Sequence, residues 1–247
     1  MLIPSRADIQ SANVLSQLPR LAPLDDPASS TNPFTGSTPF IGSQETDFYN
    51  RQAEIYSIDR RLANTFVELQ QLMALLGDDP VSSPNLHHES LSDTVYTLQR
   101  CLICLVYDVD EPIEPIERTC CFAGLIFMEC YIRGVRPNSN IAKVLNARLH
   151  SSMLVLPSGP AGDQSKDGSV PELWFWALFV GALAATEKRE WFVTQLVQAC
   201  ADLQLFRWEE VESLLYRVCW ARQNSMLGSH LLWREIVDVS TSIISTS

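Results

Sequence analysis

The sequence predicts an all-α protein, a multi-helix bundle of about eight helices. Apolar residues recur at a three-four spacing through most of the chain, the signature of amphipathic helices. Glycine and proline fall between those periodic stretches, where helices stop. No run alternates apolar and polar residues as a half-buried strand would, and no βαβ alternation is visible.

Residues 1–44 are rich in Ser, Pro, Thr and Asn. They bury too little apolar surface to offset the entropy of ordering, so a disordered tail is expected there. Within it Val14, Leu15, Leu18 and Leu21 could form one short contact helix. Order is expected from Glu45, giving a helical domain over 45–247. Ile55, Ile58, Leu62, Leu69, Leu72 and Leu76 form the first apolar seam, interrupted by Thr65 and stopped by Gly77 and Asp78-Asp79-Pro80. Such a seam suits core packing better than a coiled-coil dimer, being only about three heptads long.

The second helix is expected to start at a Ser90 or Ser92 cap and to bury Leu91, Val95, Leu98, Leu102 and Leu105. The prolines and acids of 108–117 break it. A third helix runs from Ile116 to Ile132, carrying Cys120, Phe127, Cys130 and Tyr131, and ends before Gly134 and Pro137. The fourth starts near Asn138 and carries Ile141, Leu145, Leu149 and Met153. A flexible loop is expected at 157–169, rich in Gly, Pro, Ser and Asp.

Leu173 to Ala185 is the most apolar run of the chain. Thirteen helical residues span roughly 20 Å, short of the hydrocarbon layer's roughly 30 Å. Charged residues flank it, so it reads as a buried central helix, with Gly181 and its alanines allowing close helix approach. Three more helices follow. One presents Phe192, Leu196, Ala199, Cys200 and Leu203; the next Trp208, Val211, Leu215 and Cys219; the last Leu232, Ile236, Val239 and Ile243.

Charge narrows the function classes. The 29 acidic and 18 basic residues give a net charge of −11, whereas a domain that grips phosphates usually shows a basic face. No secretory leader is visible at Met1-Leu-Ile-Pro-Ser-Arg, and seven Cys in such a chain read as reduced, intracellular thiols.

Metal and catalytic patterns fail on spacing. Cys101 and Cys104 have the two-residue spacing of a zinc knuckle but no second pair, and they sit on an apolar helical face where Cys serves as a small hydrophobe. His87-His88-Glu89 lacks the i, i+4 histidine pair and reads as an exposed loop. A calcium loop from Asp108 would put Ile113 at its glycine position and Thr119 at its glutamate position. The acidic stretch therefore reads as solvated. Asp78-Asp79 has no third carboxylate one turn on to hold magnesium against a diphosphate. No phosphate loop, nucleophile elbow or Ser-x-x-Lys pair occurs. Catalytic, cofactor-binding and metal sites are accordingly assigned no residues, and no enzyme activity is expected. All six tryptophans, Trp174, Trp176, Trp191, Trp208, Trp220 and Trp233, lie in the C-terminal part, where they would knit the core or line a cavity.

The order of motifs there adds a resemblance. Leu173-Trp-Phe-Trp-Ala-Leu-Phe-Val-Gly-Ala-Leu-Ala-Ala is followed by Trp191-Phe192-Val193, Trp208-Glu-Glu-Val211, Val218-Cys-Trp220 and Leu232-Trp-Arg-Glu-Ile236. The segment Glu172 to Ile236 resembles the C-terminal part of the fungal-specific transcription factor domain, the all-helical regulatory region behind zinc-cluster DNA-binding domains. Residues 45–156 fit the family's looser N-terminal half. One departure is Arg207, where a capping Ser often precedes the Trp. The larger one is the missing zinc cluster: residues 1–100 hold no Cys, and a Cys-x2-Cys-x6-Cys begun at Cys101 would need its third ligand at Glu111.

The resemblance implies transcription regulation in the nucleus, in control of a metabolic gene cluster, by a chain that does not itself bind DNA. Its expected partners are the transcription machinery or related full-length factors, with homo- or heterodimers among the assemblies it allows and no membrane. Two other classes compete. An enzyme acting on a small apolar substrate in a helical cavity would need converging titratable groups, and a structural helical adaptor would bind cytosolic scaffolds.

Overall fold

A computed structural model describes residues 58–77, 88–156, 171–220 and 228–246. The expected tail at 1–44, its short contact helix, the start of order at Glu45, Ile55, the Asp78-Asp79 pair, His87 and the loop at 157–169 lie outside the described residues. Eight α-helices and no strand occur among the described residues, as the three-four periodicity requires. They are α1 (Arg60–Gly77), α2 (His88–Tyr107), α3 (Pro115–Phe127) and α4 (Asn140–Val155) in the first half. The second half holds α5 (Pro171–Ala184), α6 (Arg189–Asp202), α7 (Trp208–Val218) and α8 (Ser229–Thr246). One continuous core runs through them from Ile58 to Ile236.

Helix α5 is apolar on every side, and such a helix is stable only where other elements surround it. It packs against α3, α4, α6, α7 and α8, and Phe175, Trp176, Leu178, Phe179 and Val180 are fully buried. No described helix is long and apolar enough to cross a membrane. A Cβ added at Gly181 would stand 2.6 Å from the Phe192 ring and 2.8 Å from Leu149, so α4, α5 and α6 approach as closely as they do only because that side chain is absent. Asn146 of α4 donates to the Gly181 carbonyl at 2.8 Å. This bond satisfies a buried amide that would otherwise be costly.

Helix α3 is the other inner helix, flanked by α2, α4 and α5. Pro115 sits at its first turn, where its missing N–H costs nothing. The Glu117 carboxylate accepts from the backbone N–H groups of Asp59 and Glu114, tying the entry of α1 to the start of α3. Its last turn widens into a π-helical turn, Met128–Ile132, inside the span expected to be one regular helix. Glu129 in that turn is fully buried and accepts from Gln99 at 2.7 Å and from Arg133 at 3.2 Å.

Several boundaries and faces correct the sequence expectations. Helix α2 begins at His88, so Ser90 and Ser92 lie within its first turns rather than at a cap, and His88 opens a helix rather than sitting in a loop. In α1, Leu76 is 40% exposed, while Phe66 and Met73 are buried beside Leu62, Leu69 and Leu72. The buried stripe is wider than the simple seam. The acidic stretch after α2 is held rather than merely solvated: Arg61 of α1 meets Asp59 and Asp108 at 2.7 Å and Glu111 at 3.2 Å.

Helix α7 shows how the sequence copes with Arg207 in the capping position. A guanidinium has no acceptor, so it cannot satisfy the first N–H groups. Glu210 instead reaches back, accepting from the Phe206 and Arg207 amides at 2.8 and 3.0 Å. That is half of a capping box. At the other end, Gln70 of α1 donates to the carbonyls of Arg217 and Val218 at 2.7 and 2.8 Å, closing the C-terminus of α7.

Candidate functional site

The tryptophans join ring clusters within and beside the core, and Phe179 links the Trp220 rings to Trp208 at 6.3 Å. Trp176 is fully buried, and its indole N–H donates to the Cys219 carbonyl at 2.8 Å. Its ring meets Phe66 and Phe127 at centroid distances of 5.4 and 5.7 Å, and Trp220 joins the same group through Phe127 and Phe179. Trp191 packs with His150 and Phe192, and burial lowers the His150 pKa. Trp208 lies against His230 and Trp233. Edge and tilted ring contacts of this kind stabilise a core beyond their buried area.

The thiols are similarly placed. All seven cysteines are free. Burial pushes Cys101 up to about 11 and Cys120, Cys130 and Cys200 each up to about 12, and it raises Cys104, Cys121 and Cys219 as well. A nucleophilic or metal-binding cysteine needs its thiolate near neutral pH, and these environments oppose it. Among the described residues, no group of three or more His, Cys, Asp or Glu side chains is arranged to hold a metal ion.

What the sequence does not reveal is a groove of about 560 Å³ between α2, α3 and α4. Its volume falls in the usual range for small-molecule sites, about 300–1,000 Å³. Val106, Phe122, Val144 and Ala147 give it an apolar floor. Arg118, Arg148, Tyr107 and Ser151 supply polar groups along its walls. Val106 and Phe122 belong to the edge of the main core, while Arg118, Val144, Ala147 and Ser151 stand farther out on α3 and α4. Arg118 and Phe122 are one turn apart on α3, and Val144, Arg148 and Ser151 follow one another at three-four spacing on α4.

The two guanidiniums differ in how they are held. Arg148 donates through Nη1 to the Tyr107 hydroxyl at 2.7 Å, which fixes its plane across the α2–α4 gap. Its Nε is buried without a hydrogen-bond partner. Arg118 is exposed at the rim. Behind the wall Thr119 donates to Ser152 at 3.0 Å, and Ser152 donates to the Leu149 carbonyl at 2.8 Å. The first of these bonds ties α3 to α4, and the second lies within α4. The arrangement offers an oriented guanidinium beside apolar surface.

Sequence reasoning singles out neither Arg118 nor Arg148, since neither sits in a motif. The only advance signal is faint: a second, weaker polar and apolar mixture on the outer faces of α3 and α4. No family model matches the chain, and neither a curated protein nor a solved structure does.

Proposed function

We propose that the chain is a regulatory domain of fungal transcription control, acting in the nucleus through protein partners and not by reading DNA itself. The observation that carries this reading is the ordered series of aromatic motifs from Glu172 to Ile236 that resembles the fungal-specific transcription factor domain. Those motifs coincide with helices: the apolar run is α5, Trp191-Phe192 falls in the first turn of α6, Trp208 opens α7, and Leu232-Trp233 lies in the first turn of α8.

Charge supports the same reading. At −11, the chain repels a polyanion over most of its surface, and four of its arginines, Arg61, Arg133, Arg189 and Arg217, are already engaged with carboxylates. The fitting role is a regulator or co-regulator of a metabolic gene cluster that engages the transcription machinery or full-length relatives, by homo- or heteromeric contact. It assigns the chain no catalytic step. Burial raises the Cys120 and Cys121 thiols, which disfavours nucleophilic cysteine chemistry at those two positions.

Affinity capture from fungal nuclear extract, using the full chain as bait, tests the partner class. Recovery of zinc-cluster factors or components of the transcription machinery is expected. Recovery of cytosolic scaffolds alone would point to the adaptor instead, and a specific gel shift by the chain alone at physiological salt would refute the charge argument.

A further inference from the structure

The geometry points to the groove between α2, α3 and α4 as a binding site for a small monocarboxylic acid with an apolar body. The inference concerns the groove alone and stands or falls apart from the transcriptional reading; only its use as an effector site rests on that reading.

Arg118 and Arg148 make no ion pair among the described residues, in a chain whose acids outnumber its bases. Arg61, Arg133, Arg189 and Arg217 each meet a carboxylate, yet the two guanidiniums on the groove walls meet none. Arg148 is moreover held in place by Tyr107 while its Nε stays buried and unpartnered. Guanidinium groups match the planar fork of a carboxylate, and two of them, on neighbouring helices, can share its oxygens.

The rest of the groove selects the body of the ligand. Val106, Phe122, Val144 and Ala147 present apolar surface next to the guanidiniums, and Phe122 is only 6% exposed. Inorganic phosphate would meet the arginines but leave that floor wet. A purely apolar molecule would cover the floor but leave the arginines without an acceptor. An acid with a chain or ring behind its carboxylate satisfies both, and the volume of about 560 Å³ accommodates one such molecule.

Isothermal titration calorimetry on the full chain tests this with three probes: octanoate, octanol and inorganic phosphate. Saturable one-to-one binding of octanoate is expected, at least about tenfold tighter than octanol or phosphate, since a charge-assisted pair and the apolar contact each contribute on that order. Arg118→Gln should weaken octanoate at least about tenfold, a loss of about 1.4 kcal/mol, without changing the helical circular dichroism, because that side chain is exposed. Arg148→Gln should weaken it as much or more, and Tyr107→Phe, which keeps the guanidinium but frees it, should give a smaller loss. Octanoate that fails to bind, octanol or phosphate that binds as tightly, or an Arg118→Gln protein with unchanged affinity would each overturn the proposal. None of these results bears on which proteins the chain recruits.

Discussion

Gly181 shows how one missing side chain sets the spacing of three helices. The sequence marks the position as a glycine beside alanines in an apolar run, which is enough to expect close approach. Which neighbours come close is a tertiary matter: they are Phe192 and Leu149. Gly181→Ala should therefore destabilise the fold by about 1–3 kcal/mol through overpacking, measured as a lower midpoint in urea with an unchanged slope. Glu68 offers a different test at this scale. Burial raises its pKa, so the fold disfavours its charged form. A raised carboxyl contributes stability that is complete below the unfolded pKa of about 4.3 and is lost as pH rises through the folded value. Glu68→Gln should thus raise Tm at pH 7, and the gain should shrink as pH falls toward 4. Equal gains at both pH values would contradict this. The arginines of the groove were not legible in the same way. In sequence, Arg118 and Arg148 resemble any charged residue on a solvated face, and only the packing of α3 on α4 brings them to one cleft.

Helix identity was far more legible than helix ends. Apolar spacing located the helices that bury one face, and a continuous apolar run located α5, because those patterns are written residue by residue. Ends depend on who satisfies the terminal amides and carbonyls, and those partners come from distant segments. Gln70 closes α7 from another part of the chain, and Glu117 caps across to Asp59. Nor does any local signal announce the π-helical turn at Met128–Ile132, where the buried Glu129 meets Gln99 from α2. The start of α7 allows a direct test of capping. Arg207 cannot accept a hydrogen bond, so Arg207→Ser should add the missing acceptor and stabilise the protein by about 1 kcal/mol. Glu210→Ala, which removes the carboxylate that now accepts from Phe206 and Arg207, should cost about the same. Thermal unfolding of both variants measures the pair, and movement in the same direction would contradict the account.

At the scale of the molecule, α3 and α5 form the inside and the other helices cover them. Such an arrangement predicts a gradient of local stability, since amides in fully packed helices open only with global unfolding. Hydrogen exchange should be slowest in α5 and in the Cys120–Met128 stretch, and faster in α8, whose Leu231 and Val237 are exposed. The groove lies between α2, α3 and α4 beside the Thr119–Ser152 bond, so an acid bound there would touch all three helices. Helices α6, α7 and α8 pack on α5, and with it they make up the segment that carries the resemblance. One continuous core joins the groove helices to the C-terminal helices.

The regulatory reading is tested most directly by tethering the full chain to an unrelated DNA-binding domain upstream of a reporter in a fungal host. A change of several-fold in reporter transcription, in either direction, relative to the DNA-binding domain alone is the predicted result. Unchanged transcription from a stable, nuclear fusion would contradict it.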